Sequence, residues 1–196
     1  MLVYRYSLYL SYNITLSDTS TTATTLNTLD ASTTGSINAG TITSLTGSTA
    51  DLNTAYASSG ITGLDNKSII VNSETVSVSN ANTLGALTKG ILTATVAEGD
   101  MNTLKRITES GNALTVNVTD TSVAANELTK LDEMTTVAVR VKSATLTGTN
   151  TEKLAAYSAY KAGTIIGLDT SFDAYSYLAS KNWVEKIIWK GFVTYL

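Results

Sequence analysis

The chain has 196 residues, a formal charge of −3 and 43% hydrophobic residues, and it contains no His, Cys or Pro. That length and apolar content are enough to bury a core and argue against disorder. The missing residue types exclude the usual zinc, haem and iron–sulfur centres, His-dependent triads and cysteine nucleophiles, and the weak acidic charge argues against a nucleic-acid binder or a polybasic membrane binder.

Thr and Ser together make up about 29% of the chain, far above ordinary globular usage. Residues 1–16 read as one N-terminal edge strand. Every even position from Leu2 to Leu16 is apolar (Leu2, Tyr4, Tyr6, Leu8, Leu10, Tyr12, Ile14, Leu16), which is strand periodicity. Arg5, Ser7 and Ser11 break the apolar run a signal peptide would need. No stretch of about 18 apolar residues exists to span a bilayer, so a membrane partner is not expected.

Residues 17–171 read as an array of strand–helix units. Ser48 to Asp51 and Thr149 to Glu152 have the form of helix starts, each after a glycine (Gly47, Gly148) that can end a strand. Leu114, Val116 and Val118 alternate with Thr115, Asn117 and Thr119, and Val137, Val139 and Val141 with Ala138, Arg140 and Lys142, giving strands with one apolar face. Landmark helix positions are Leu26, Leu52, Leu84, Met101, Leu128, Leu154 and Leu178, spaced by about 25 residues, within the solenoid range. Residues 172–196 hold both tryptophans and both phenylalanines, and Trp183, Ile187 and Ile188 lie at helical spacing. They read as a C-terminal capping helix.

Internal similarity is the strongest signal. Leu16 to Asp30 aligns with Val118 to Asp132 without a gap: Asp18, Thr19, Ser20, Leu26, Leu29 and Asp30 fall on Asp120, Thr121, Ser122, Leu128, Leu131 and Asp132. Leu45 to Asp65 aligns with Leu146 to Asp169 with small insertions. A single unit of two dozen residues cannot hide its apolar face, so it must lean on its neighbours. The expected fold is therefore an α/β repeat solenoid of short helices and parallel strands with right-handed crossovers. The alternative is a β-solenoid with short helices, and a compact α+β domain is a further one.

The stretches DTSTTATTLNTLD and LTGSTADLNTAYASSGITGL resemble Thr/Ser-rich repeats of very large bacterial surface or secreted proteins of cyanobacterial type. Ala125 to Asp132 is also similar to phage tail-fibre repeats. The resemblance covers roughly residues 14 to 170. It implies a structural or adhesive module of an extracellular or cell-surface protein, and the alternative is a phage or virion fibre segment. Partners would be neighbouring repeats of the same chain and polysaccharide or a cell surface, with no nucleic acid.

Catalytic, cofactor and metal sites are expected to be absent. The recurrent acids Asp18, Asp30, Asp65, Asp120, Asp132 and Asp169 would suit calcium between turns, but no calcium-loop motif accompanies them, and turn and cap chemistry is the preferred reading. Ser158 to Lys161 matches S-x-x-K without its companion motifs. The acid pairs Glu98/Asp100 and Glu127/Asp132 look like a helix start and an exposed helix face, so a glycan-cleaving enzyme with two carboxylates is the disfavoured reading. Asn13, Asn66 and Asn117 begin N-x-S/T sequences at chance frequency for this composition. Tyr56, Tyr157 and Tyr160 are expected to turn toward the core.

Overall fold

The structure is a computed structural model that describes residues 11–169. Among these it is an α/β protein with six helices and parallel strands in several sheets. The capping helix expected over 172–196, with the landmark Leu178, and most of the edge strand expected over 1–16 lie outside the described residues.

Two compact units are present, and their segments interleave in sequence. The first takes the described residues up to Glu98, with Arg106–Val116 and Met134–Val137; the second takes Gly99–Lys105, Asn117–Glu133 and the described residues from Ala138.

In the first unit, β1 (Ile14–Thr15), β3 (Ile37–Asn38) and β5 (Ile61–Thr62) form one sheet, with β1 at its edge. Strands β2 (Ser20–Thr22), β4 (Ser44–Gly47), β6 (Ser68–Val76), β7 (Leu92–Val96) and β8 (Ala113–Thr115) form a five-stranded parallel sheet in that order. Helices α1 (Ala23–Ser32), α2 (Thr49–Ala57) and α3 (Val78–Ala86) each follow a strand of the larger sheet. Parallel neighbours need a crossover, and these helices supply it. Ile14 lies opposite Ile37, Ser20 opposite Ser44 and Ser44 opposite Ser68.

The second unit holds α4 (Met101–Leu104), β9 (Asn117–Val118), β10 (Ser122–Ala124), most of α5 (Ala125–Met134), β11 (Val139–Val141), β12 (Thr145–Thr147), α6 (Asn150–Ala162) and β13 (Ile165–Ile166). Its two sheets, β13-β11-β9 and β10-β12, are also parallel.

The aligned sequence pairs adopt like conformations. Strand β2 and helix α1 in Leu16–Asp30 correspond to β10 and α5 in Val118–Asp132, and β4, α2 and β5 correspond to β12, α6 and β13. The landmark residues Leu26, Leu52, Leu84, Met101 and Leu128 are buried, each at 6% exposure or less. Leu154 differs: it is half-buried, and Ala156 is the buried position of α6. The strand alternation holds for Leu114, Val116, Val118, Val139 and Val141, all buried. Val137 breaks it at 37% exposure, because its amide turns to the Thr135 hydroxyl at a corner ahead of β11.

Short helices start where a side chain replaces a missing intrahelical acceptor. Thr22, Ser48, Ser77, Asp100 and Thr149 each accept the amide three residues on. The Thr149–Glu152 pair is a full capping box. At Ser48 the hydroxyl accepts the Asp51 amide and also lies 3.0 Å from the Asp51 carboxylate. Helix α6 stops at Gly163, in the left-handed region at φ 83°.

Candidate functional site

The hydroxyl groups fall into populations separated by what they touch. One group serves the helices: Thr28, Thr54, Thr83 and Ser158 each donate to the carbonyl four residues earlier. Such bonds hold a small polar side chain against its own helix.

A second group builds corners. Thr33, Thr88 and Thr135 each donate to a carbonyl 21 residues earlier, on Tyr12, Lys67 and Leu114 respectively. Each also accepts the amide two residues ahead, from Gly35, Gly90 and Val137. A single hydroxyl thus shapes its own turn and ties it to the previous one. Glycine follows where the backbones come close: a Cβ on Gly35 would lie 2.2 Å from the Tyr12 carbonyl oxygen.

Several acids are also committed. Glu74 accepts the Thr49 amide at 2.6 Å and Glu98 accepts the Val78 amide at 3.0 Å, both within the first unit. Asp120 accepts the Met101 amide at 2.6 Å within the second. In each case a carboxylate from later in the chain meets the first amide of an earlier helix, where the dipole favours negative charge. The Thr49 backbone bond holds the Glu74 carboxyl below the ordinary range, and the Thr149 backbone bond does the same for Glu152. Sequence reading missed these trans caps, since the acids stand at no fixed spacing from the helices they serve.

The acids considered for calcium are dispersed. Asp30 accepts from Ser58, Asp132 from Thr164, and Asp120 from Met101. The Asp18 carbonyl accepts from Thr41, the Asp65 carbonyl from Lys89, and Asp169 is exposed. Among the described residues no three His, Cys, Asp or Glu are grouped to hold a metal ion. Glu98 and Asp100 cap different helices, and Glu127 pairs with Lys105 at 3.4 Å while Asp132 serves Thr164.

The Ser158 hydroxyl of the S-x-x-K stretch is bonded back to Leu154, and the Lys161 ammonium lies 5.7 Å from the Tyr157 ring centroid. Tyr157 and Tyr160 are half-buried neighbours with ring centroids 6.0 Å apart. Tyr56 is half-buried too and donates to the Leu64 carbonyl. Burial pushes its phenol up, the Thr88 hydroxyl partly offsets this, and the Asp65 charge adds to it. All three rings lie at the core's margin. Two buried polar residues gave no sequence signal: Lys67 donates its ammonium to the Gly40 carbonyl at 2.8 Å, and the Asn112 side chain accepts the Leu92 amide at 2.8 Å.

The third hydroxyl population covers the outer face of the five-stranded sheet. Inward positions are apolar: Leu45, Ile69, Leu92, Ala94 and Leu114 are buried. The alternate positions are in register across strands. Ser20, Ser44 and Ser68 form one rank; Thr22, Thr46, Ile70, Thr93 and Ala113 form the next. After the irregularity of β6, Thr75, Thr95 and Thr115 form a third. Thr22 is occupied as a helix cap, whereas the other hydroxyls of these ranks have no side-chain partner among the described residues. The only charged residue in the five strands is Glu74, already bonded to Thr49, and no aromatic residue occurs in them.

Comparison of the chain with family models, with curated proteins and with solved structures finds no match.

Proposed function

We propose that the chain is a non-catalytic structural or adhesive module of an extracellular or cell-surface protein, built as an α/β solenoid of strand–helix turns. The observation that carries this reading is the register of the five-stranded sheet, which brings free hydroxyls into ranks on one face. Among the described residues, hydroxyls inside the turns and most of the carboxylates are consumed by caps and corners, which fits a scaffold better than a reaction centre. The resemblance to repeats of very large bacterial surface proteins agrees with a scaffold role. In such an array each turn stabilises its neighbours and a broad face stays open for contact.

Deletion of residues 44–67 tests the architecture, because it joins Thr43 to Ser68, the residue paired with Ser44. In a solenoid the shortened chain keeps a cooperative thermal melt, and loss of folding would overturn that reading. Co-sedimentation with washed, insoluble supports, cell-wall polysaccharide among them, tests adhesion through that face: retention on at least one support that Thr95→Lys abolishes is expected.

A further inference from the structure

We propose that the outer face of the five-stranded sheet binds ice, the ordered lattice of water oxygens. The inference rests on the reading of that face as a contact surface and names its occupant.

Neighbouring strands lie about 4.8 Å apart, and successive outward residues on one strand are separated by about 6.6 Å. Registered hydroxyls on such a sheet form a two-dimensional grid rather than a line. On β7 and β8, Thr93, Thr95 and Thr115 place a hydroxyl and a methyl at points of that grid, and Thr46, Ser44 and Ser68 carry it to the other side of Ile70. Threonine is stiff at χ1, and a parallel ladder fixes its backbone. The array is therefore ordered before any partner arrives, which lowers the entropic cost of binding.

The composition of the face selects among partners. A charged polymer or ionic mineral finds no free charge, because Glu74 is bonded to Thr49. A sugar ring finds no aromatic surface to stack on, since the five strands contain none. A protein partner would look for an apolar centre, and Ile70 at 36% exposure is the sole large apolar side chain presented by the ranks. A water lattice needs hydroxyl oxygens repeated at close to its own oxygen spacing, with methyl groups between them. The strand separation lies near the oxygen repeat of hexagonal ice.

The test uses the full chain fused to a fluorescent protein. Slow ice growth and measurement of the freezing–melting gap are expected to give incorporation into the ice and faceted crystals. Thr93→Val with Thr95→Val keeps shape and removes two hydroxyls, and Thr95→Lys adds bulk and charge; both are expected to lose incorporation while retaining the wild-type melting temperature. Thr54→Lys, on the exposed side of α2, is expected to retain it. Exclusion of the wild-type chain from ice, or undiminished incorporation of the folded Thr93/Thr95 variants, overturns the proposal. If the wild type is excluded from ice but held on one of the insoluble supports in a Thr95-dependent way, the ice assignment falls and the adhesive reading stands. Failure on ice and on all of those supports removes both.

Discussion

The Glu74 carboxylate accepts the backbone N–H of Thr49 at 2.6 Å, across 25 residues of chain. An acid at the end of β6 therefore closes the first turn of the helix that follows β4. Glu98 serves Val78 in the same way within the first unit, and Asp120 serves Met101 within the second. The helices are too short to form alone, so tying their first amides to a later segment couples local order to correct stacking.

The sign of the pH effect follows from the bond. Glu74 is held below the ordinary carboxylate range by the Thr49 amide, so the folded state favours the ionised form. The stabilisation is complete above the unfolded value of about 4.3 and disappears as pH falls through the lower folded value. Glu74→Gln is expected to melt below the wild type at pH 7, with the gap closing on acidification beneath about pH 4. A gap that persists unchanged into strong acid in parallel thermal melts would remove the charge from the explanation.

Glycine substitutions separate close approach from backbone strain. A Cβ on Gly90 would lie 2.5 Å from the Lys67 carbonyl carbon and oxygen. Gly90→Ala should cost about 1–3 kcal/mol, as overpacking does. Gly111 has φ +80°, and a Cβ there would meet nothing within 4 Å, so Gly111→Ala should cost only the left-handed strain of roughly 1–2 kcal/mol. Urea titrations that rank Gly111→Ala as the more damaging would contradict the proximity seen at Gly90.

Much of the local structure was legible because one residue type carries each signal. Leu26 and Leu128 sit at matched places in the two aligned segments, and both are fully buried on helices that follow a strand. Thr149 and Glu152 announced a capping box by their spacing, and the box is present. What the sequence concealed depends on distant partners. Nothing near Glu98 identifies Val78 as its target, and nothing near Lys67 points to the Gly40 carbonyl. Val137 continued an alternating run but sits at a corner set by Thr135, two residues earlier. The free hydroxyls of Thr93 and Thr95 look like any other threonines until register separates them from Thr88, whose hydroxyl is bonded to Lys67.

The landmark leucines are not equivalent, and truncation should reveal it. Leu84 and Leu128 are fully buried, so replacement by Ala should cost about 2–5 kcal/mol each. Leu154 is half-buried, and Leu154→Ala should fall well short of that range. Equal losses at Leu128 and Leu154 in chemical denaturation would show that both sites pack alike.

Tyr56 contributes on the alkaline side. Burial raises its phenol above the usual value, so the folded state prefers the neutral form. Its contribution is complete below the unfolded value of about 10 and is lost as pH rises through the higher folded value. Tyr56→Phe removes the bond to the Leu64 carbonyl, a loss of about 1 kcal/mol at neutral pH. It should also flatten the fall in stability above about pH 10. A Phe variant with the same alkaline fall as the wild type would assign that fall to other groups.

Thr135 provides the sharpest test of the division among hydroxyls. Its oxygen accepts the Leu114 amide at 3.0 Å and the Val137 amide at 3.2 Å, and its proton goes to the Leu114 carbonyl at 2.7 Å. Thr135→Val keeps the shape but strands the Leu114 amide at the edge of a buried core, with an expected loss of about 1–3 kcal/mol. Thr135→Ser restores the oxygen and should recover most of it. The same Thr→Val change at Thr95, whose hydroxyl has no side-chain partner among the described residues, should leave stability nearly unchanged. Chemically identical changes would then differ because one hydroxyl completes the backbone of a neighbouring turn and the other faces outward. Equal losses at Thr135 and Thr95 would mean that the sheet face is also part of the scaffold, leaving the contact-surface reading without its free groups.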